Sequence, residues 1–270
     1  MTLPADTPID GRDEGIRIVP IDGIPEIRRG DPINAMIVDA IAASATGLQT
    51  GDVIAVTHKV VSKAEGGLID LTTIEPSPLA RRFAAEWAKD ARQVEVVLQQ
   101  SRRILRMVRG LIVSETHHGF ICANAGVDAS NVSTDAVCIL PVDPDGAAEE
   151  IRRSLMRRFF SDRGEDDPVI GVIVTDSFGR PWRSGIVNVA IGVSGIAPLT
   201  DYRGQFDPSG YELKASILAV ADELASAAEL VMHKLAARPV AVIRGYQWQT
   251  TTPAGSGKDL IMPEERNLFI

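Results

Sequence analysis

The run Val169-Ile-Gly-Val-Ile-Val174 limits more than any other segment what this chain can become. Six residues without a polar alternation do not suit a sheet with one wet face, and they have the look of a central strand buried on both sides. Shorter strands of similar character are expected at Ile16–Pro20, Val53–Thr57 and Pro239–Arg244. Helical spacing intervenes. Ile33, Met36, Ile37 and Ile41 predict a helix over Ile33–Ser44 with Asp31 as its N-terminal cap. Pro78 suits the first turn of a helix reaching about Lys89, and a second covers about Ala91–Ser101. Asp145 is placed to cap a helix over about Ala147–Phe160, with Glu149 and Glu150 near its start and Arg157 and Arg158 near its end, as the helix dipole favours. The stripe Ile217, Val220, Leu224, Ala228, Val231 and Leu235 predicts the longest helix, over about 215–235. Strands are expected at Ile104–Glu115 and Gly119–Ala123, paired around the turn His117–His118–Gly119, and again at Val137–Leu140 and Val187–Val193. This irregular alternation predicts a mixed α/β fold of the α+β kind with mixed sheets, rather than a doubly wound sheet. The 270 residues suffice for one large domain or two intertwined smaller ones. Residues 1–15 and 246–270 read as tails around a domain spanning 16–245.

Charge narrows the function. Lys plus Arg number 28 and Asp plus Glu 36, a formal net charge of −8, which argues against a general nucleic-acid binder while leaving room for a local basic cleft. The start MTLPADTPIDGRDEG has neither the basic nor the apolar region of a signal peptide, and no stretch is long and apolar enough to be a membrane helix. A cytoplasmic protein without a membrane partner is the default expectation. Cys122 and Cys138 lie in apolar runs and make neither a disulfide framework nor a zinc set, so both are expected as buried thiols.

Two carboxylates stand out by their surroundings. Asp176 follows the apolar strand in TDSFGR, where α/β proteins often place ligand-binding groups. Asp128 lies in NAGVDASN, among Asn124, Gly126, Ser130 and Asn131. Magnesium and manganese take hard oxygen ligands, commonly one or two carboxylates completed by water and substrate phosphates. Turn or capping roles would explain either aspartate taken alone. Lys59 and Lys63, in HKVVSKAEG just after a strand, would share a face on a helical turn and could meet a polyphosphate, or form a solvated basic surface. The segment is not a P-loop, and GSGK at Gly255–Lys258 is followed by Asp259 and follows no buried strand. Arg180 and Arg183 flank Trp182 and suit either an anionic substrate or packing on the indole. His117 and His118 read as exposed turn residues.

In this order these segments resemble the coenzyme F420:L-glutamate ligases. The likeness rests on GIPEIRRGD (23–31), GDVIAVTHKVVSKAEG (51–66), CANAGVDASNV (122–132), LPVDPDG (140–146), VIVTDSFGRPWRSG (172–185), AIGVSGI (190–196), ADELASAAELVM (221–232) and PVAVIRG (239–245), and covers about residues 16–245. It implies the family's mixed-sheet fold as an intertwined homodimer, and a GTP-dependent amide ligase. In such a reaction GTP phosphorylates the carboxylate of the deazaflavin precursor F420-0 (or its monoglutamate), and L-glutamate displaces phosphate, leaving GDP. The resemblance puts catalytic metal ligands on Asp128 and Asp176 for one manganese or magnesium ion and on Ser177 for a second, with potassium as a monovalent partner. It puts nucleotide contacts on Ile24, Pro25, Glu26 and Ile27, on His58 and Lys63, and on Asn131.

Three departures bear on those expectations. His58 stands where many relatives carry Ser or Thr, and HKLAAR after Met232 lacks the Gly-rich, acidic character of some relatives, so no contact is carried onto His233 or Lys234. A nitroreductase-like second domain, present in some relatives, is not expected. A metal-dependent phosphohydrolase, or a deazaflavin- or nucleotide-binding module without turnover, are the alternatives to the ligase.

Overall fold

The structure, a computed structural model, describes residues 15–161, 168–248 and 255–267. In chain order the elements are β1 (Arg17–Ile21), α1 (Ile33–Ala43), β2 (Val53–Thr57), α2 (His58–Glu65), β3 (Leu68–Asp70), α3 (Pro78–Trp87) and α4 (Ala91–Gln99). There follow β4 (Ser101–Val108), β5 (Leu111–Thr116), β6 (Ile121–Ala123), β7 (Ala136–Cys138), α5 (Pro144–Phe159), β8 (Gly171–Arg180) and β9 (Arg183–Ser194). Then come β10 (Thr200–Asp201), β11 (Ile217–Leu218), α6 (Val220–Met232) and β12 (Val240–Arg244).

The principal sheet has the order β1-β12-β2-β8-β9. Only β2 and β8 run parallel; the other three pairings are antiparallel. Side chains alternate across a strand, so each apolar run supplies both faces. Ile54, Val56, Val172, Val174, Val240 and Val242 join Ile37 and Ile41 of α1 and Ile151 and Leu155 of α5 in one core. Val53, Ala55, Ile173, Ala241 and Ile243 join Leu224, Ala225 and Ala228 of α6 in a second. The run Val169–Val174 is therefore covered by helices on both sides, and the fold is mixed α/β. A third core, with Leu71, Phe83, Val94, Val97, Ile112 and Val137, lies in the segment from Leu71 to Val137 that holds α3, α4 and the sheet β4-β5-β6.

Several local expectations change. The strand expected over 104–115 is a hairpin, because Arg109 and Gly110 both take positive φ (52° and 72°), the geometry of a tight turn between strands. Asp31 does not cap α1; its carboxylate accepts from the Arg28 N–H at 2.7 Å. Asp143 rather than Asp145 caps α5, accepting from the Gly146 N–H at 3.0 Å. Asp145 instead accepts from the backbone N–H of Val193 and of Gly257, both at 2.8 Å. That matters because β9 is a sheet edge whose outward N–H groups need partners. Gly257 comes so close to β9 that a Cβ there would stand 2.5 Å from the Ile191 carbonyl oxygen. The 215–235 helix shrinks to the 13 residues of α6, leaving the 16-residue α5 longest; Ile217 belongs to β11 and Leu235 is exposed. The basic segment after β2 forms the helix α2, which gives Lys59 and Lys63 their shared face. Residues 255–267, read as tail, lie partly against β9 in two 3-10 turns, whereas residues 1–14, 249–254 and 268–270 and all of the acidic loop 163–167 fall outside the described residues.

Candidate functional site

The site follows from the one parallel pair. Thr57 of β2 is the register partner of Thr175 of β8, so the next residues, His58 at the start of α2 and Asp176 within β8, stand side by side where β2 ends. His58 Nε2 stands 3.3 Å from Asp176 Oδ1. The approach is close, but the ring nitrogen is not aligned as a hydrogen bond and has no other partner among the described residues. The other ring nitrogen, Nδ1, lies 3.2 Å from Ser62 Oγ. Asp176 Oδ1 also accepts from the Ser177 N–H at 2.6 Å.

Because β2 passes into α2 without a loop, Lys59 and Lys63 come one helical turn apart on the same face. Both tie down the loop 128–131, and Lys63 also holds the loop that carries Glu26. Lys59 Nζ meets Asp128 Oδ2 at 2.6 Å and donates to Ser130 Oγ at 2.6 Å. Lys63 Nζ meets Glu26 Oε1 at 2.5 Å and donates to the Asn131 carbonyl at 3.1 Å. The Lys63 side chain is 7% exposed, and an ammonium that dry requires such counter-charges. Asp128 is fixed by a backbone bridge to β7, its N–H donating to the Cys138 carbonyl at 2.9 Å and its carbonyl accepting from Cys138 at 2.8 Å. Burial pushes the Asp128 carboxyl up, but the Lys59 ammonium and the Ser130 donors outweigh it and hold it below its ordinary value.

On the opposite face of β8 runs a polar chain. Ser177 and Asn188 are register partners on β8 and β9. The Ser177 hydroxyl donates to Asn188 Oδ1 at 2.7 Å, and Asn188 Nδ2 donates to Glu229 Oε2 of α6 at 3.0 Å. Lys234 Nζ donates to Ser177 Oγ at 2.5 Å.

All ten residues singled out from the sequence for metal or nucleotide (Ile24, Pro25, Glu26, Ile27, His58, Lys63, Asp128, Asn131, Asp176 and Ser177) line one cavity of about 300 Å³. The cavity also holds Lys59, Asn188, Glu229, His233, Lys234 and Arg238. His233 and Lys234, passed over in the sequence, are brought in by the turn after α6, where His233 takes a φ of 54°. Nothing in the sequence warned of that turn, because the apolar stripe reads on to Leu235 although α6 ends at Met232. Asn188 and Glu229 gave no signal of their own, since each acquires its position by pairing across elements. Arg180, Trp182 and Arg183 lie outside this cavity, at the far end of the β8–β9 hairpin, where Arg180 donates to the Ser184 carbonyl at 3.2 Å. His117 is exposed and donates to, or accepts at, no group of the cavity; its Nε2 lies 3.0 Å from the Gln99 carbonyl oxygen.

Chemically the cavity offers hard oxygens beside ammonium groups. Among the described residues no three His, Cys, Asp or Glu side chains gather as they would to cage a metal completely. Two carboxylates and a hydroxyl suit a hard divalent ion that keeps water and phosphate oxygens in its shell. Ammonium groups on Asp128 and Ser177 show that these oxygens are presented to cations. A thiol nucleophile is not on offer: burial pushes Cys122 up to about 12 and Cys138 up to about 11, so both stay protonated.

The family model for F420-0:gamma-glutamyl ligase matches residues 23–245. A coenzyme F420:L-glutamate ligase of Methanothermobacter thermautotrophicus is 42% identical over 256 residues, covering 94% of this chain and 99% of that protein. One of Methanopyrus kandleri is 46% identical over 257 residues (94% and 97%), and one of Methanocaldococcus jannaschii 43% over 225 residues (82% and 86%).

Proposed function

The chain belongs to the F420-0:gamma-glutamyl ligase family, and on that premise we propose that it joins L-glutamate to a coenzyme F420 precursor by an amide bond, driven by GTP. The observation that carries the reading is the meeting of Asp128 and Asp176 in one cavity with four cationic side chains, Lys59, Lys63, Lys234 and Arg238.

A free carboxylate is a poor acyl donor. In the proposed sequence a precursor carboxylate oxygen attacks the γ-phosphorus of GTP, the bond to the bridging oxygen breaks, and GDP leaves. The amine of glutamate, reacting as the free base, then attacks the acyl carbon and expels phosphate. Phosphoryl transfer of this kind depends mainly on positioning and charge neutralisation. Lys63 and Lys59, on one face of α2, would exchange their present carboxylate partners for phosphate oxygens. The loop Ile24–Ile27, tied to α2 through Glu26, would wall the nucleotide. His58, 1% exposed, would hold Asp176 in place rather than meet ligand broadly. Asp128 and Asp176 would hold one magnesium or manganese ion and Ser177 a second, which when bound would neutralise phosphate charge.

The test is to incubate the protein with GTP, manganese, F420-0 and glutamate and to read product masses. Mass gain by whole glutamate residues with equal GDP release supports the ligase. Phosphate release that needs no glutamate would replace it by a phosphohydrolase, and binding without turnover by an inactive module.

A further inference from the structure

A second cavity, of about 910 Å³, shares no lining residue with the first and takes no part in the chemistry above. It lies where β6 of the smaller sheet meets the β8–β9 hairpin. Its walls are largely apolar: Phe120, Ile121, Phe178, Trp182, Ile261 and Met262. Phe120 and Phe178 meet edge to face, with ring centroids 6.2 Å apart. Polar groups stand at its margins, among them Arg106 of β4 and Asp222 of α6. Asp222 Oδ1 accepts from the Ala190 N–H of the edge strand at 2.8 Å.

Strand geometry joins the two cavities. Asp176 and Phe178 alternate to the same face of β8, two residues or about 7 Å apart. Asp176 lines the phosphate cavity and Phe178 the apolar one. Beside them Val189, the register partner of Asp176, lines the apolar cavity as well. A ligand filling the second cavity could thus extend a carboxylate arm to the first. The volume is that of a pocket for a sizeable small molecule, and an aromatic wall with few polar groups is how such pockets hold flat rings. Trp182, 85% exposed with φ 56° at the hairpin tip, stands at the rim.

Resting on the ligase reading, we propose that this cavity binds the planar aromatic body of the acceptor, holding it so that its carboxylate reaches the phosphates beside Asp176. The occupant is the acceptor itself rather than a second copy of this chain, because Phe178 and Val189 of its wall are hairpin neighbours of Asp176 and Asn188 in the phosphate cavity.

The probe is the fluorescent ring system of the F420 precursor without its carboxylate arm, followed by anisotropy, so that binding is read without the ligation step. The variants are Ile121→Asp and Trp182→Ala; both side chains are substantially exposed, and folding is checked by circular dichroism. We expect the wild-type protein to bind the chromophore, Ile121→Asp to weaken it at least tenfold and Trp182→Ala severalfold, with affinity for a fluorescent GTP analogue unchanged. A chromophore that fails to bind the wild type, or binds both variants as well as the wild type, overturns the proposal. So does a shift of Ile121→Asp from dimer to monomer in sedimentation with chromophore affinity intact, which would make the face an interface between copies. Ligation is assayed separately. Chromophore binding as expected with no ligation by the wild type would sink the ligase and keep the pocket; ligation with unaltered chromophore affinity in both variants would do the reverse.

Discussion

Asp176 and Asn188 mark the extremes of what single residues disclose. Asp176 was legible because a carboxylate directly after an apolar run has few structural reasons to be there, although β8 continues past it to Arg180. Asn188 was not, because its role arises only when β9 pairs with β8 in a register that sets it opposite Ser177. Replacing Asp176 with Asn should lower kcat of order 100-fold or more while leaving the circular dichroism spectrum unchanged, as loss of one preorganised charge at a phosphate site does. Near-normal turnover would remove Asp176 from the chemistry. Glu149 tests electrostatics away from the site. Burial raises its carboxyl, but bonds from Arg152, Ser194 and Arg153 prevail and bring it from 4.5 to about 2. A depressed carboxylate stabilises the fold fully above its unfolded value and loses that contribution as pH falls from about 4.5 towards 2. With its side chain 28% exposed, solvent screening leaves of order 1 kcal/mol. Urea midpoints of wild type and Glu149→Gln should therefore converge as pH is lowered through that window, and parallel curves would contradict the assignment.

Elements were legible in kind more often than in extent. The strand Val53–Thr57 and the helix α1 emerged at or within a residue of their true bounds, whereas β8 runs six residues past the apolar run to Arg180. The hairpin inside 104–115 was hidden because Arg109–Gly110 is a weak turn signal between two apolar runs. The helix at 215–235 was drawn too long because an apolar stripe does not announce its own ends. At α5 the acidic residue chosen as cap was two positions late, and the two aspartates now predict different costs. Asp143→Ala should remove an ordinary N-cap, about 1 kcal/mol. Asp145→Ala should cost about 2–3 kcal/mol, because it strips partners from the N–H groups of Val193 and Gly257 at the sheet edge. Chemical denaturation of both variants decides, and equal losses would count against the edge role. On α2, Lys63→Ala should raise the apparent KM for GTP by about tenfold, the usual scale of one charge-assisted bond, with folding retained since its partner Glu26 is well exposed.

At the scale of the molecule, the sequence disclosed a mixed α/β protein but not which distant segments converge. Residues from the segments 24–27, 57–63, 128–131, 176–177 and 229–239, together with Asn188, reach one cavity, and no spacing between them forms a motif. A ligand bridging so many segments should stabilise the whole. GTP with manganese at about a hundred times its dissociation constant adds roughly 2.7 kcal/mol, which for a chain of this size raises Tm by roughly 5–10 °C. Differential scanning fluorimetry checks it, and no shift would mean that the folded protein does not bind the nucleotide. One feature of the sheet reaches back to synthesis. Strand β12 lies between β1 and β2, the first two strands among the described residues. A nascent polypeptide on the ribosome therefore has its opening strand with no neighbour until translation passes residue 244, and for most of its birth β1 must wait, exposed, for a partner not yet polymerised.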